Sequence, residues 1–311
     1  MVTSPPTRRA ARASRKDTLI EKLEPLYDAT VRRVGPVHGL LRQMLWSGGD
    51  VVVRAASRLA RFEVPAEHLL PLYKLEMLLG TYESRTVRAC RRLLRPGMTV
   101  ADVGAHVGYY TRRFSRWVGP QGLVLAFEPH PANFDLLRRN VERARSRNVR
   151  LFPFAVSDRD GTATLWETPL STGHSLHAVK PEAGRQLALP TVTLDTVCRS
   201  EGVGRIDLVK MDVEGGEPEV LKGMAGLARQ SPHLAILMEF KADLLARRGY
   251  DPADVLQTLS GFGCSELLAL RERGRPRSMR PDQVDVLVGL RKCNLLARKP
   301  GAADAIPRDT P

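Results

Sequence analysis

The sequence is short of the features that would tie it to several common classes. It has four cysteines in 311 residues, Cys90, Cys198, Cys264 and Cys293. They lie far apart, with no C-x-x-C pair and no histidine at ligand spacing, so neither a disulfide framework nor a zinc site is signalled. Aromatic residues make up 5% of the chain, poor material for the stacking platforms that read single-stranded RNA. No apolar run approaches the roughly 20 residues of a membrane-spanning helix, and the N-terminus shows no apolar core of a secretory leader. Residues 1 to 16 contain no acid. These absences point to a cytoplasmic protein in a reducing compartment, with nucleic acid and membrane disfavoured as partners.

What is abundant is positive charge. The formal net charge is +14 and the isoelectric point about 10.1. The basic residues are spread along the whole chain, which reads as composition rather than as a nucleic-acid footprint. Hydrophobic residues are 43% of the chain, enough for one large core with an appendage.

The most informative stretch is Val100-Ala-Asp-Val-Gly-Ala-His-Val-Gly-Tyr-Tyr-Thr111. Met98 to Val103 reads as a buried parallel strand, because it is mostly apolar without alternation. Gly104 and Gly108 permit a sharp turn and the close approach of a ligand. Tyr109 to Trp117 then carries apolar residues at helical spacing. Strand, glycine turn and helix together form a nucleotide-binding first crossover, in which the free N–H groups of the helix face the ligand. Asp102 discriminates between ligands. A dinucleotide loop reads G-x-G-x-x-G and cradles diphosphate, whereas a carboxylate here would repel it and suit a cation such as the amino-acid end of S-adenosylmethionine.

Along the chain, residues 1–16 read as a disordered basic tail and 17–78 as a helical extension or cap, with breaks near Gly35-Pro36 and Gly48-Gly49. Its segment Val51 to Phe62 could lie on an anionic membrane, but packing on its own protein is favoured. The main domain is expected over 79–300, with 301–311 as a second disordered tail. Leu123 to Phe127, Arg150 to Val156, Ile206 to Val213, Leu234 to Phe240 and Glu266 to Leu270 read as further strands, with Asn294 to Arg298 as a last edge strand. Val284 to Leu290 is ambiguous between strand and helix. Helices lie between the strands, which gives an α/β fold with a doubly wound, mostly parallel sheet. The polar stretch Thr168 to Leu187 is long for a loop inside a compact domain and holds His174 and His177; loops of that length are usually functional.

Ligands of such sheets bind at the carboxyl ends of the strands. Those ends carry Asp102, Glu128, Asp158, Asp212 and Glu239, all acidic. Glu128, somewhat over 20 residues past the glycine turn, stands where an acid accepts hydrogen bonds from ribose, and Asp158 is then placed for an adenine amino group. A metal reading exists for Asp212, Glu214 and Glu217, which offer hard oxygen ligands. It stands second, because Glu217 suits the start of a helix beside Pro218.

Four motifs together resemble the FkbM-type methyltransferases: the stretch 100–111, Ala126-Phe-Glu-Pro-His-Pro131, Phe154-Ala-Val-Ser-Asp158 and Lys210-Met-Asp-Val-Glu-Gly-Gly-Glu-Pro218. The resemblance runs from about Leu79 to Leu270. It departs at His106, where many relatives carry Asn. It implies a class I, Rossmann-like S-adenosylmethionine-dependent methyltransferase, O-methylating a hydroxyl of a small molecule of sugar or macrolide type. Carried over by residue, it places Gly104, His106, Gly108 and Asp102 around the methionine moiety, with Glu83 reaching the same end. Glu128 falls at the ribose, Asp158 near adenine and Asp212 at the transfer pocket. Candidate bases for the acceptor hydroxyl are Asp212, Glu214, Glu239 and His174. The competing readings are an RNA or other macromolecule methyltransferase, a non-catalytic nucleotide-binding module, and a nicotinamide-dependent dehydrogenase, the last opposed by Asp102.

Overall fold

The protein is described by a computed structural model, which covers residues 57–58, 60–65, 71–166, 186–271, 276–280, 282–290 and 292–301. The chain divides into two compact units, Met1–Val52 and Val53–Pro311, and the described residues belong to the second. His174, His177, the basic tail and most of the expected helical extension lie outside them.

Two helices, α1 (Pro71–Leu79) and α2 (Ser84–Leu93), lead into strand β1 (Thr99–Val103), helix α3 (Tyr109–Val118), β2 (Leu123–Phe127), α4 (Pro131–Ala144) and β3 (Val149–Phe152). Then follow β4 (Ala155–Val156), β5 (Gly161–Trp166), β6 (Gln186–Val192), α5 (Leu194–Ser200) and β7 (Leu208–Met211). The chain continues through α6 (Glu217–Gly223), α7 (Ala225–Gln230), β8 (Ala235–Lys241), α8 (Ala242–Arg247) and α9 (Pro252–Gly261). It closes with β9 (Glu266–Leu270), β10 (Arg277–Met279), α10 (Val284–Gly289) and β11 (Lys292–Arg298).

Eight strands form one sheet in the order β10-β9-β11-β8-β7-β1-β2-β3. The strands from β8 to β3 are parallel, and β11, β9 and β10 extend the sheet antiparallel. From β1 the chain winds outward to β2 and β3, then returns to β7 on the other side of β1, so the order reverses between β1 and β7. That switch point opens a crevice at the strands' carboxyl ends.

Successive residues of a strand face opposite sides of the sheet, and the core divides accordingly. Ala101 and Val103 join Phe127, Met211 and Phe240 on one face. Val100 and Leu208 join Tyr109, Phe114 and Leu93 on the other, beneath α2 and α3. Phe62 and Met77, from the segment read as an extension, are buried in this second cluster.

Two strand expectations need correcting. The strand expected over 150–156 is broken, because Pro153 has no N–H for a ladder. β3 stays in the main sheet, while β4 pairs with β6 in a separate three-stranded sheet with β5. The last strand is not an edge: β11 pairs with both β8 and β9, and the short β10 holds the edge instead. Its run Leu295, Leu296, Ala297 is buried on both faces, as an interior strand requires. The ambiguous stretch at 284 is the helix α10. Among the described residues no helix is long and apolar enough to cross a membrane.

Candidate active site

The carboxyl ends of β1, β2, β7 and β8 surround a cavity of about 380 Å³. Backbone hydrogen bonds hold its rim. The N–H groups of Gly104 and Ala105 donate to the Phe127 carbonyl at 3.0 and 2.8 Å, and that of Asp212 donates to the Val103 carbonyl at 3.1 Å. The first turn is thereby tied to the strand on either side of it.

The glycines serve this closure more than the ligand. A Cβ on Gly104, whose φ is +77°, would lie 2.1 Å from the carbonyl oxygen of Asp212, so only glycine lets the β1 and β7 turns meet. Gly108 has φ +85° and faces Leu137 of α4, whose Cδ1 would stand 2.8 Å from an added Cβ. Gly104 lines the cavity and Gly108 does not.

Glu128 lies in the cavity wall at 6% exposure. Its two carboxylate oxygens accept from the N–H groups of His106 at 2.8 Å and His130 at 3.0 Å. Burial pushes its pKa up to about 7 against the pull of those backbone donors. The Asn133 side chain is a further donor to it, so Glu128 pins the glycine loop and keeps about one of a carboxylate's roughly four acceptor sites for a ligand.

Asp102 departs from its expected place. It was expected beside a ligand, but it is 0% exposed and absent from the cavity lining. Its side chain points to the face covered by α3, because it shares that face with Val100. There it accepts from the Thr111 hydroxyl at 2.6 Å and pairs with Lys210, its partner in β7, at 3.9 Å. Burial raises its pKa; Lys210 and Thr111 oppose the rise.

Lys210 is the residue sequence reasoning missed. A lysine inside the otherwise apolar run Leu208-Val-Lys-Met211 is itself a signal, since lysine is rarely buried unpaired. It is 7% exposed and also reaches Asp212, at 3.7 Å. Burial works to lower its pKa, but the carboxylates of Asp212, Asp102, Glu83 and Glu239 outweigh that and raise it. Lys210 therefore remains charged and holds Asp212 ionised. Burial would raise the Asp212 pKa; Lys210, Lys241, Lys292 and His106 bring it below the ordinary aspartate value.

Carboxylate oxygens of Asp212, Glu214 and Glu239 lie within 4.8 Å of one another. Lys241 bridges Glu214 at 2.7 Å and Glu239 at 2.6 Å, and Lys292 pairs with Glu239 at 2.9 Å. Lys241 and Lys292 thus offset part of this negative charge. Glu217, the third acid of the metal reading, belongs elsewhere: it is 3% exposed and its oxygen faces the N–H groups of Val213 and Gly215 at 3.3 and 3.4 Å. Glu214 is pushed up to about 7 by burial and by the charge of Asp212, with Lys241 opposing.

Glu83 enters from the turn before α2 and accepts from the Tyr110 hydroxyl at 2.5 Å; burial and Asp212 raise its pKa. The rings of Tyr82, Tyr109 and Tyr110 meet edge to face along this wall. Three non-glycine residues that line the cavity, Glu83, His106 and Glu214, have φ of 44°, 50° and 52°. Such left-handed backbone costs of order 1–3 kcal/mol each and gathers at functional sites. The other expected residue, Asp158, follows β4, is exposed and lies outside the lining, although its neighbour Ser157 is within it.

Burial of Glu217 has a consequence for stability. Its pKa is pushed up to about 8 by burial, with backbone donors opposing and Asp212 adding to the rise. The folded chain therefore binds this proton more tightly than the unfolded chain. The stabilisation is complete below about pH 4.5 and is lost as pH rises through about 8. Wild type should lose stability between pH 5 and 9, and Glu217→Gln should remove on the order of 3 kcal/mol of that loss. Urea unfolding at both pH values measures it; identical losses in the two proteins would contradict the assignment.

The family model for the methyltransferase FkbM domain matches residues 102–271. Hexuronic acid methyltransferase AglP of Haloferax volcanii is 27% identical over 243 residues, which cover 78% of this chain and 89% of that protein. 31-O-demethyl-FK506 methyltransferase FkbM of Streptomyces tacrolimicus is 31% identical over 160 residues, covering 42% of this chain and 61% of that protein. Among solved structures, a SAM dependent methyltransferase from Aquifex aeolicus aligns over 70% of this chain and 88% of its own, with 16% identity and a TM-score of 0.40.

Proposed function

The chain belongs to the FkbM methyltransferase family and is an S-adenosylmethionine-dependent methyltransferase, and from that premise we propose that it methylates a hydroxyl of a sugar or natural-product acceptor, with Glu214 as the base. Its relatives support the acceptor class: one is named for a hexuronic acid and another for 31-O-demethyl-FK506.

The cavity's own chemistry fits the cofactor. Six carboxylates line it, those of Glu83, Glu128, Asp212, Glu214, Glu219 and Glu239, against Lys210 and Lys292 in the lining and, behind it, Lys241 paired with Glu214 and Glu239 and Arg248 paired with Glu219. A tyrosine wall adds ring faces that attract cations. That balance favours a ligand with an ammonium and a sulfonium and opposes a diphosphate. When bound, the cofactor supplies an electrophilic methyl group.

The chain's residues divide the remaining work. Glu128 accepts from ribose hydroxyls, while Glu83 and the Gly104-Ala-His106 turn hold the methionine end. Asp158 is a candidate for the adenine side only if it turns inward from its exposed position. A general base works best with a pKa near the working pH. Asp212, kept low by Lys210, is a weak base; Glu214, raised to about 7, is a better one. Asp212 then orients the acceptor and sets the proton affinity of Glu214, a carboxylate near enough to raise it. Glu239, held by Lys241 and Lys292, serves as the anchor for those two ammonium groups.

The single observation that carries the proposal is the excess of carboxylates over ammonium groups in a cavity at the sheet's switch point. Calorimetry tests it. S-adenosylmethionine and S-adenosylhomocysteine are expected to bind, and NAD is not expected to compete with them; NAD binding with no response to either adenosyl ligand would overturn the cofactor assignment. Glu128→Ala should weaken the adenosyl ligands by on the order of 1.5–3 kcal/mol, the worth of hydrogen bonds to a charged group.

A further inference from the structure

A second concavity, of about 900 Å³, runs along the outer side of α3. Arg112, Arg113 and Arg116 line it from α3, and Arg143, Arg145 and Arg147 from the end of α4 and the turn after it. Arg61 closes one side. No aspartate or glutamate lines it among the described residues. Among the described residues only Arg143 of these pairs with a carboxylate, that of Glu63. Arg112 and Arg113 instead rest on ring faces, at 5.0 Å from Phe62 and 3.7 Å from Tyr109. Burial, then repulsion from Arg113 and Arg61, lowers the pKa of Arg112. Seven arginines along one groove whose described lining holds no acid make a strongly cationic surface, and arginine's planar fork matches phosphate oxygens in pairs.

We propose that this groove binds the diphosphate of a phosphorylated acceptor and holds it along α3, so that its sugar end reaches the catalytic cavity. The two concavities share Met77, and Tyr109, on which Arg113 lies, lines the catalytic cavity. Helix α3 begins at that cavity and runs about 15 Å away from it along the groove, a span suited to a glycosyl diphosphate. Two other polyanions fit less well. A membrane-binding surface inserts apolar side chains, whereas Phe62 and Met77 here are 4% and 5% exposed. Single-stranded nucleic acid needs stacking platforms, and Trp117, the one indole among the described lining residues, has Arg91 over its ring at 5.9 Å. The link to an acceptor rests on the methyltransferase reading; the diphosphate site does not.

The test titrates the full chain with inorganic pyrophosphate by calorimetry, beside Arg112→Gln/Arg116→Gln and Arg145→Gln/Arg147→Gln. Each sample is also titrated with S-adenosylhomocysteine. Pyrophosphate is expected to bind, more weakly as salt rises, and to lose at least about tenfold in affinity in each double variant, with the adenosyl ligand unaffected. No binding, or equal binding in the variants, overturns the site. So does arginine-dependent binding of a single-stranded oligonucleotide or of phosphatidylglycerol vesicles without binding of pyrophosphate. Arginine-dependent pyrophosphate binding with no adenosyl binding keeps the groove and overturns the cofactor reading instead. For the acceptor link, the product labelled from methyl-labelled S-adenosylmethionine in a small-metabolite extract should be retained by anion exchange until its phosphates are cleaved. A neutral labelled product overturns that link.

Discussion

Replacing Glu214 with glutamine is expected to cut single-turnover methylation by roughly 10²–10⁴-fold, the range for a lost general base, while adenosyl-ligand affinity stays within a few-fold. The geometry allows a clean comparison. Glu214 keeps a left-handed φ of 52°, which glutamine adopts at similar cost, and Lys241 retains Glu239 as its partner. The pH profile carries the sign. A base raised to about 7 is protonated below that value, so the wild-type rate should fall as pH drops through the neutral range. A bound sulfonium favours the ionised form and moves the midpoint downward from there. Glu214→Gln should flatten this limb. Asp212→Asn should behave differently: removing the charge that raises Glu214 shifts the limb to lower pH and leaves a substantial rate at neutral pH. If instead Asp212→Asn abolishes turnover and Glu214→Gln leaves both rate and profile intact, the roles of the two carboxylates are reversed.

The second large effect is structural. Gly104→Ala is expected to destabilise the fold by about 3 kcal/mol or more, from a left-handed backbone worth roughly 1–2 kcal/mol and an overpacking cost of about 1–3. The added Cβ would meet the carbonyl oxygen of Asp212 at 2.1 Å and its carbon at 3.1 Å. Both are backbone atoms tied into β7, so no rotamer change relieves the clash. Gly97→Ala is the control: its φ is +87° but nothing lies within 4 Å of its added Cβ, so it should pay the backbone term alone. Urea unfolding of the two variants separates the effects. Equal losses would mean that the β1 and β7 turns do not meet as described. Because the same contact sets Asp212 against the turn that Glu128 pins, whatever Gly104→Ala protein folds should also bind S-adenosylhomocysteine poorly.

The alternation of apolar runs, glycine turns and helical spacing was legible in the chain because each of these is a local property. A buried parallel strand is apolar on both faces, and a turn of positive φ asks for glycine. The strand ends followed from those runs, and with them Glu128, Asp212, Glu214 and Glu239 around one cavity. Local pattern could not say which strands are neighbours. Register sets Asp102 beside Lys210, 108 positions further along the chain, and turns an expected ligand contact into a buried ion pair. Pairing with β8 and β9 made β11 an interior strand, and Pro153 sent β4, and Asp158 after it, to another sheet. The proton affinities belong to the same level. Whether a carboxylate sits near 7 or below its ordinary value depends on burial and on the lysines brought to it by other strands, and likewise arginines that look scattered in sequence become one groove only when α3 and the end of α4 lie side by side. Electrostatic interaction depends on distance in space, and the sequence records only distance along the chain.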